Sequence, residues 1–429
     1  YMAALMLQQE RLIQFGLITT NSIHQAFGRQ IIETFQNSSP EISLIFAIPD
    51  HPWVDSHDGA DVRIAMTVAA RQNQQGILQT VLSEKETGED SISITFSTEK
   101  GKIHSNLRIG ADISSAIKLK SNTNLSCRGV VPHGKGFVVM VEQAQKLGYG
   151  SNPDLDLHIK RYFNGRDITQ TPRDVLLIDL FGLEIDEVKK KYPEVYQWVY
   201  ERVKPERDVN SRESRKKNWW IFGEPVPSWR EMSRDISRFI STSRTSKHRT
   251  FVFLDPDILP DYNLVNIALE DSYFLGVLSS KIHVSWALAT GGRLGVGNDP
   301  IYNNTVCFDK FPFPDATEAQ KAHIRTLAEQ LDAHRKRQQA QHPGLTLTEM
   351  YNVLDLTGGA APPVRSAARP LTAKEKQIYD QGLIAILKQL HDDLDTAVFA
   401  AYNWPTTLTD EEILQHLVDL NAERVAEEA

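Results

Sequence analysis

Short, continuous apolar runs flanking a helical stretch constrain this chain most. Leu44-Ile45-Phe46-Ala47-Ile48 and Val62-Arg63-Ile64-Ala65-Met66-Thr67-Val68 read as strands of a sheet covered on both faces. Leu17-Ile18-Thr19-Thr20 is a third such run, and Ser22 to Phe35 carries helical periodicity. Three strands and one helix are too few for a self-sufficient doubly wound domain, so they predict part of one. The opening residues agree. Tyr1 to Leu7 reads as the middle of an amphipathic helix whose stripe runs through Leu12 and Ile13 to Phe15-Gly16, which predicts a longer parent chain.

The texture changes near Ser91, where Ser91-Ile92-Ser93-Ile94-Thr95-Phe96 alternates with period two as a half-buried strand does. Turns follow at Gly134-Lys135-Gly136 and Gly148-Tyr149-Gly150. An apolar segment, Val175 to Ile178, precedes a helical stripe of Val188, Tyr192, Val195, Val199 and Val203. After Phe311-Pro312-Phe313-Pro314 the pattern is helical. Asp315 with Glu318, Thr372 with Glu375 and Thr409 with Glu412 read as capping pairs, and Thr357 to Pro370 as a Gly/Ala/Pro-rich linker.

Length and composition bound the rest. The 429 residues, 41% hydrophobic and 24% charged, suit two or three domains of roughly 100–200 residues each. Cys127 and Cys307 lie far apart without a CxxC spacing, which argues against a disulfide framework or thiolate zinc site and suits a reducing cytoplasm. No apolar run reaches the roughly 18 residues of a membrane span, so no membrane partner is expected.

Charge is unevenly placed. Residues 202–249 hold 13 Lys or Arg against six Asp or Glu, a net of +7 in a chain of net −8, leaving −15 elsewhere. Trp219-Trp220, Phe222 and Trp229 interleave the cations. Cations neutralise phosphates and release counterions, while flat rings and Arg forks can meet bases. A solvated helical surface over core tryptophans would look the same in sequence. Within the patch, Ser241 to Arg249 is densest in short polar and basic donors, and Thr250 to Leu254 reads as a strand that would hold them.

Many words of the chain resemble one family, the large MmeI-like (type IIL) restriction-modification enzymes. Its target-recognition domain is matched by Tyr192-Pro193-Glu194-Val195-Tyr196-Gln197-Trp198, Val203 to Asp208, Trp219 to Pro225 and Lys247-His248-Arg249. Leu275 to His283, Gly291 to Pro300 and Cys307 to Pro314 continue that match, and His342 to Thr346 and His391 to Asp395 extend it into the tail. Phe15 to Ser22 and Phe46 to Val54 resemble late strands of the family's methyltransferase domain. The resemblance implies methyl transfer from S-adenosylmethionine to the N6 amine of an adenine rotated out of double-stranded DNA. That chemistry needs a glycine-rich cofactor turn and an Asn/Asp-Pro-Pro-Tyr/Phe loop. Neither occurs. Pro362-Pro363 follows Ala361 in the linker, and Gly291 to Gly297 lacks an acidic ribose partner after a strand-helix-strand entry. Catalytic residues are therefore expected upstream of Tyr1, with or without an attached nuclease. This chain alone is expected to be inactive and to bind no cofactor.

Other constellations weigh less. Asp179, Glu187 and Lys189 have a nuclease-like spacing, but Glu187 and Lys189 open a helical stripe. His51, Asp55, His57, Asp58 and Asp61 are metal-ligating types at no standard spacing, so no metal is expected. Asp255-Pro256-Asp257 with Asp261 reads as a turn. No GxSxG, HExxH or phosphate-loop sequence supports a hydrolase or nucleoside-triphosphatase.

The resulting expectation is a mixed α/β chain in three parts. Residues 1–118 are a partial Rossmann-like methyltransferase half, 119–314 a mixed α/β recognition domain, and 315–429 a helical domain. Arg244, Lys247, His248 and Arg249 are expected near DNA, Arg215, Lys216 and Lys217 on phosphates, and Trp53 is a candidate stacking face beside the flipped base. In the competing reading, Arg249 or His248 instead pairs with an internal carboxylate. The competing classes are a non-catalytic DNA-binding or scaffold component of a phage-defence system, and an acidic helical protein-interaction module with an incidental basic patch.

Overall fold

The computed structural model describes all residues except 21–22, 24–25, 54–61, 72–73, 89–90, 295–298, 359–369 and 429. Strands β1 (Gln14–Thr20), β2 (Ile42–Trp53), β3 (Val62–Arg71), β4 (Gly76–Gly88) and β5 (Ser91–Gly101) form one sheet in the order β1-β3-β2-β4-β5. β3 runs antiparallel to both neighbours, β2 and β4 are parallel, and β4 and β5 make a long antiparallel hairpin. Alternation at Ser91 to Phe96 announced β5, whereas its partner β4 had no comparably clean pattern.

β1 departs from expectation. Its run was read as covered on both faces, yet Leu17 is 42% and Ile18 62% exposed. The cause is position: β1 pairs only with β3 and is a sheet edge. The core under this sheet forms instead from Leu44, Ala47, Ala65, Ala69 and Leu78, with Leu7 and Phe35 from the helices Met2–Gln8 and Ala26–Gln36.

A second group of strands alternates between two four-stranded sheets. β6 (Ser126–Arg128), β10 (Phe239–Ser243), β11 (Val252–Leu254) and β13 (Leu264–Ile267) pair in the order β11-β10-β13-β6. β7 (Val138–Met140), β8 (Ile159–Phe163), β9 (Val175–Ile178) and β12 (Ile258–Pro260) pair as β12-β8-β9-β7. A hairpin of β14 (Gly292–Leu294) and β15 (Asp299–Ile301) stands apart. The valine stripe is split at Pro193 into the helices Ile185–Lys191 and Pro193–Arg202, because proline supplies no amide to continue a turn. Val188, Val195, Val199 and Val203 are nonetheless all fully buried in one core with Trp219 and Phe222.

The C-terminal region is helical. Its helices Glu318–Gln341, Leu347–Leu356, Ala373–Gln381, Ile384–Ala401 and Asp410–Glu428 share a continuous core with β10, β11 and β13 and with the helices Ser272–Ser279 and Lys281–Thr290. Thr372 and Thr409 exchange hydrogen bonds with Glu375 and Glu412 as expected. Asp315 does not cap its helix. Thr317 does, with Gln320, while Asp315 reaches across to Arg424. Thr and Gln at the capping-box spacing satisfy the same backbone groups two residues later.

Candidate nucleic-acid interface

The sheet, the recognition strands and the last helix meet at one cleft of about 610 Å³. From the sheet side come Arg29, Asp50, Thr80 and Glu99, followed by the connecting stretch Asn106 to Ile109. The opposite wall is Arg244, Leu288 to Arg293, Ile301, Asn303 and Val306, and Glu411 closes one end. Four arginines therefore line the cleft: Arg29, Arg108, Arg244 and Arg293.

Each is placed by local structure. Arg244 follows β10 directly. Its amide donates to the Asn263 carbonyl (2.7 Å) and its carbonyl accepts from the Tyr302 amide (2.7 Å), so the backbone is held from both sides. Arg293 sits in β14 opposite Pro300. Arg108 follows Leu107, whose φ of 57° turns the chain sharply, and its amide donates to Asn106 Oδ1 (3.1 Å). Enclosure by the cleft and then the nearby Arg293 lower the Arg108 guanidinium below the usual arginine range, and Glu411 opposes them. Two of the three cleft carboxylates already have partners. Asp50 accepts from Arg63 (2.7 Å) and Glu411 from the Ala111 amide. Four guanidinium groups against three lining carboxylates leave the cleft a small positive excess, which favours an anion, although Arg29 is also paired with Glu33 (3.1 Å).

The predicted residues are distributed differently from their sequence order. Arg244 lines the cleft. Lys247 Nζ and His248 Nε2 both meet Asn352 Oδ1, at 2.6 and 2.8 Å, and His248 Nδ1 lies 3.4 Å from Asp355. Burial lowers the His248 imidazole's pKa, against the pull of Asn352 and Asp355. Arg249 is 8% exposed and points inward. It donates to Thr242 Oγ1 (3.0 Å) and to the carbonyls of Ser243 and Pro300 (3.1 Å for the latter), and lies over the Tyr302 ring. Burial pushes its guanidinium down to about 10.

Arg215, Lys216 and Lys217 occupy the short helix Glu213–Lys217 and do not line the cleft. Arg215 contacts Glu224 (3.4 Å), Lys216 pairs with Glu213 (3.5 Å), and Lys217 is exposed. Trp53 ends β2 and is 47% exposed, three residues beyond Asp50. The aromatic interleaving belongs largely to the core, since Trp219 and Trp229 are buried. Arg29, Arg108 and Arg293 escaped the sequence reading. Arg293 lay within a matched family word, but Arg29 and Arg108 come from elements that only the fold brings to the cleft.

The remaining constellations resolve into structural roles. Asp179 forms a two-bond pair with Arg230 (2.6 and 3.0 Å), and Glu187 pairs with Lys191 one helical turn on (2.6 Å). Asp255 and Asp257 both hold Arg161, at 2.6 and 2.7 Å. His51 hydrogen-bonds the Pro52 carbonyl (2.6 Å), while Asp55, His57, Asp58 and Asp61 lie outside the described residues. Among the described residues no group of three His, Cys, Asp or Glu side chains could hold a metal, and no helix is long and apolar enough to cross a membrane.

In the glycine-rich stretch, Gly291 caps a helix just before β14, where a Cβ would run into the Ile301 carbonyl, so its glycine serves a hairpin packed on a helix. Gly295 and Gly297 lie outside the described residues.

Residues 113–315 match the family model for the MmeI target recognition domain. A curated relative, DNA methyltransferase A of Bacillus subtilis (strain 168), is 28% identical over 163 residues, which are 38% of this chain and 15% of the relative. The solved structure of the type IIL restriction-modification enzyme MmeI in complex with DNA aligns over 99% of this chain, with a TM-score of 0.74 and 18% identity. The chain spans about half of that structure's length and a smaller share of the curated relative. In sequence over residues 113–315, and in fold over almost its whole length, this protein is similar to the MmeI type of restriction-modification enzyme.

Proposed function

We propose that this chain is the DNA-recognising portion of an S-adenosylmethionine-dependent adenine-N6 DNA methyltransferase in a restriction-modification system, and that it does not methylate DNA by itself. The observation that carries this reading is the arginine-lined cleft shared by all three parts of the chain. A duplex seated there would meet the recognition strands on one side and the sheet on the other. Arg244 and Arg293 are the proposed direct contacts. Both stand on strand-anchored backbone, which fixes where a guanidinium fork can reach a guanine edge or a phosphate. Lys216 and Lys217 are suited to outlying phosphates, and Trp53 remains a stacking candidate. Asn352 and the Leu347–Leu356 helix engage Lys247 and His248, and Arg249 supports the strand beneath. Lys247, exposed and held by a neutral amide, stays a DNA-contact candidate, whereas the more buried His248 and Arg249 act through the positions of others.

The proposed division is a partial methyltransferase domain at 1–118, a recognition domain at 119–314 and a helical part at 315–429, with cofactor and catalytic loops supplied by a further segment of the parent protein. Fluorescence anisotropy with a labelled duplex tests the reading. Affinity should fall steeply with added salt and drop about tenfold for Arg244→Ala, a phosphate- or base-contact loss. Binding indifferent both to salt and to Arg244 and Arg293 would sink it.

A further inference from the structure

A second groove of about 770 Å³ lies within the recognition strands, where the two four-stranded sheets adjoin. Cys127, Arg128 and Gly129 form one side, His133 and Glu224 another, and Tyr262 and Asn304 the rest of the rim. The sheets are laced together here by backbone bonds. Val130 donates to the Pro260 carbonyl (2.8 Å), Tyr262 to the Val130 carbonyl (3.1 Å), and Val131 to the Glu224 carbonyl (3.0 Å). A Cβ at Gly129 would strike the Pro260 carbonyl, so only glycine permits the approach. The groove is thus a fixed concavity.

Its rim sets one exposed cation, Arg128, against one carboxylate, Glu224, and burial and then Arg215 lower the His133 imidazole's pKa. Arg128 is exposed, and among the described residues no carboxylate pairs with it. The single lining carboxylate, Glu224, is shared by Arg215 (3.4 Å) and His133 (3.7 Å). Tyr262 is 38% exposed and offers a phenol at the rim.

The groove and the cleft approach each other at one residue pair. Asn303 lines the cleft and Asn304, the next residue, lines the groove. Successive Cα atoms are about 3.8 Å apart, so the rims come near each other here. Asn304 Nδ2 donates to the Ser126 carbonyl (3.2 Å) and hydroxyl (3.3 Å), which pins that rim to β6. Duplex DNA carries a phosphate charge about every 1.7 Å of its axis, so a duplex running from the cleft past Asn303-Asn304 would bring backbone phosphates to the groove.

We infer that the groove lined by Arg128, His133, Tyr262 and Asn304 is a second contact site for the DNA backbone, with Arg128 and the Tyr262 hydroxyl as phosphate donors. This rests on the reading of the cleft as the DNA seat. Backbone contacts position without reading sequence. Loss of Arg128 should therefore weaken all duplexes alike.

The test is a salt titration of binding by this chain to a labelled 30-base-pair duplex (a length of about three helical turns) of two unrelated sequences. Arg128→Ala should lower affinity about three- to tenfold on both, and reduce the slope of log affinity against log salt by about one. Tyr262→Phe should lower affinity less and leave the slope unchanged, because it removes a donor and no charge. Unchanged melting of the exposed-site variant Arg128→Ala would show that folding is intact. If wild type binds and Arg244→Ala weakens binding while Arg128→Ala alters neither affinity nor slope, the groove is not a DNA contact and the cleft reading stands. If wild type binds no duplex, both fall together.

Discussion

The cleft and the interior both hold arginines, and the two sets are satisfied by different means. Arg207, Arg249 and Arg335 are 1%, 8% and 2% exposed, and among the described residues none meets a carboxylate. Backbone carbonyls take part of that place, while Arg207 Nε and Nη1 and Arg335 Nε find no hydrogen-bond partner among the described residues. Arg207 Nη2 donates to Pro132 and Ile221 (both 2.9 Å), and Arg335 Nη1 to Phe251 (2.9 Å), with Tyr351 and His391 completing the last network. The cleft arginines instead border open volume among three carboxylates, and Arg29 is held by Glu33 (3.1 Å). A buried guanidinium spread over several dipoles is a structural bolt, whereas one left near like charges is a binding group. Burial and partner type separate them; charge alone cannot.

Arg335 offers the largest effect. Replacing it with Ala takes the donor from the Phe251 carbonyl and leaves a buried void beside the Tyr351–His391 pair, which stays hydrogen-bonded (2.7 Å), and should destabilise the fold by about 3–5 kcal/mol in urea unfolding. A loss under about 1 kcal/mol would mean that interior and cleft arginines do not differ in kind.

The pair Arg244 and Arg249 sharpens the contrast, because five residues separate opposite fates. Arg249→Met should cost about 2 kcal/mol of stability, whereas Arg244→Met should stay within about 0.5 kcal/mol yet weaken duplex binding about tenfold. Reversal of either member, stability for one and affinity for the other, would undo the assignment.

Acid provides a third probe. Burial and then Arg249 hold His283 at about 3, and burial and then Arg335 do the same to His391. Both are depressed below an unfolded value near 6.5, so their stabilisation is present above that value and lost as pH falls toward 3. Asp395 runs the other way. Burial raises it to about 7, against the Lys281 amide that it accepts from (2.7 Å). Its contribution is full below about 4 and is lost as pH rises through 7. Two imidazoles against one carboxyl leave about one proton, so stability should fall by up to about 1.4 kcal/mol per unit from pH 6.5 to 4. Urea midpoints across that range check the sign, and Asp395→Asn should steepen the loss. The smallest effect is at Lys217, where Ala should leave melting unchanged and reduce the salt slope of binding by less than about one charge.

Much of this architecture is written locally. Periodicity announced β2, β3, β5 and the C-terminal helices, and Thr372-Glu375 and Thr409-Glu412 announced helix starts, because a side chain three residues away decides a cap. The valine stripe found its core despite the break at Pro193. The recognition segment was legible as a set of family words from Tyr192 to Pro314. Exposure was not. β1 looks as buried as β2 by composition, and only its place at the sheet edge leaves Leu17 and Ile18 in solvent.

The sequence by itself determined a mixed α/β chain with a helical end, a positive segment in an acidic whole, and the absence of cofactor and amine-holding motifs. Tertiary structure decided which cations are available. Arg29 and Arg108 reach the cleft from elements more than 130 residues before Arg244, while Arg249 turns into the core. The reason is physical. Net charge is a sum over residues, but binding depends on which charges share a concavity, and the crossing of the strands alone sets that.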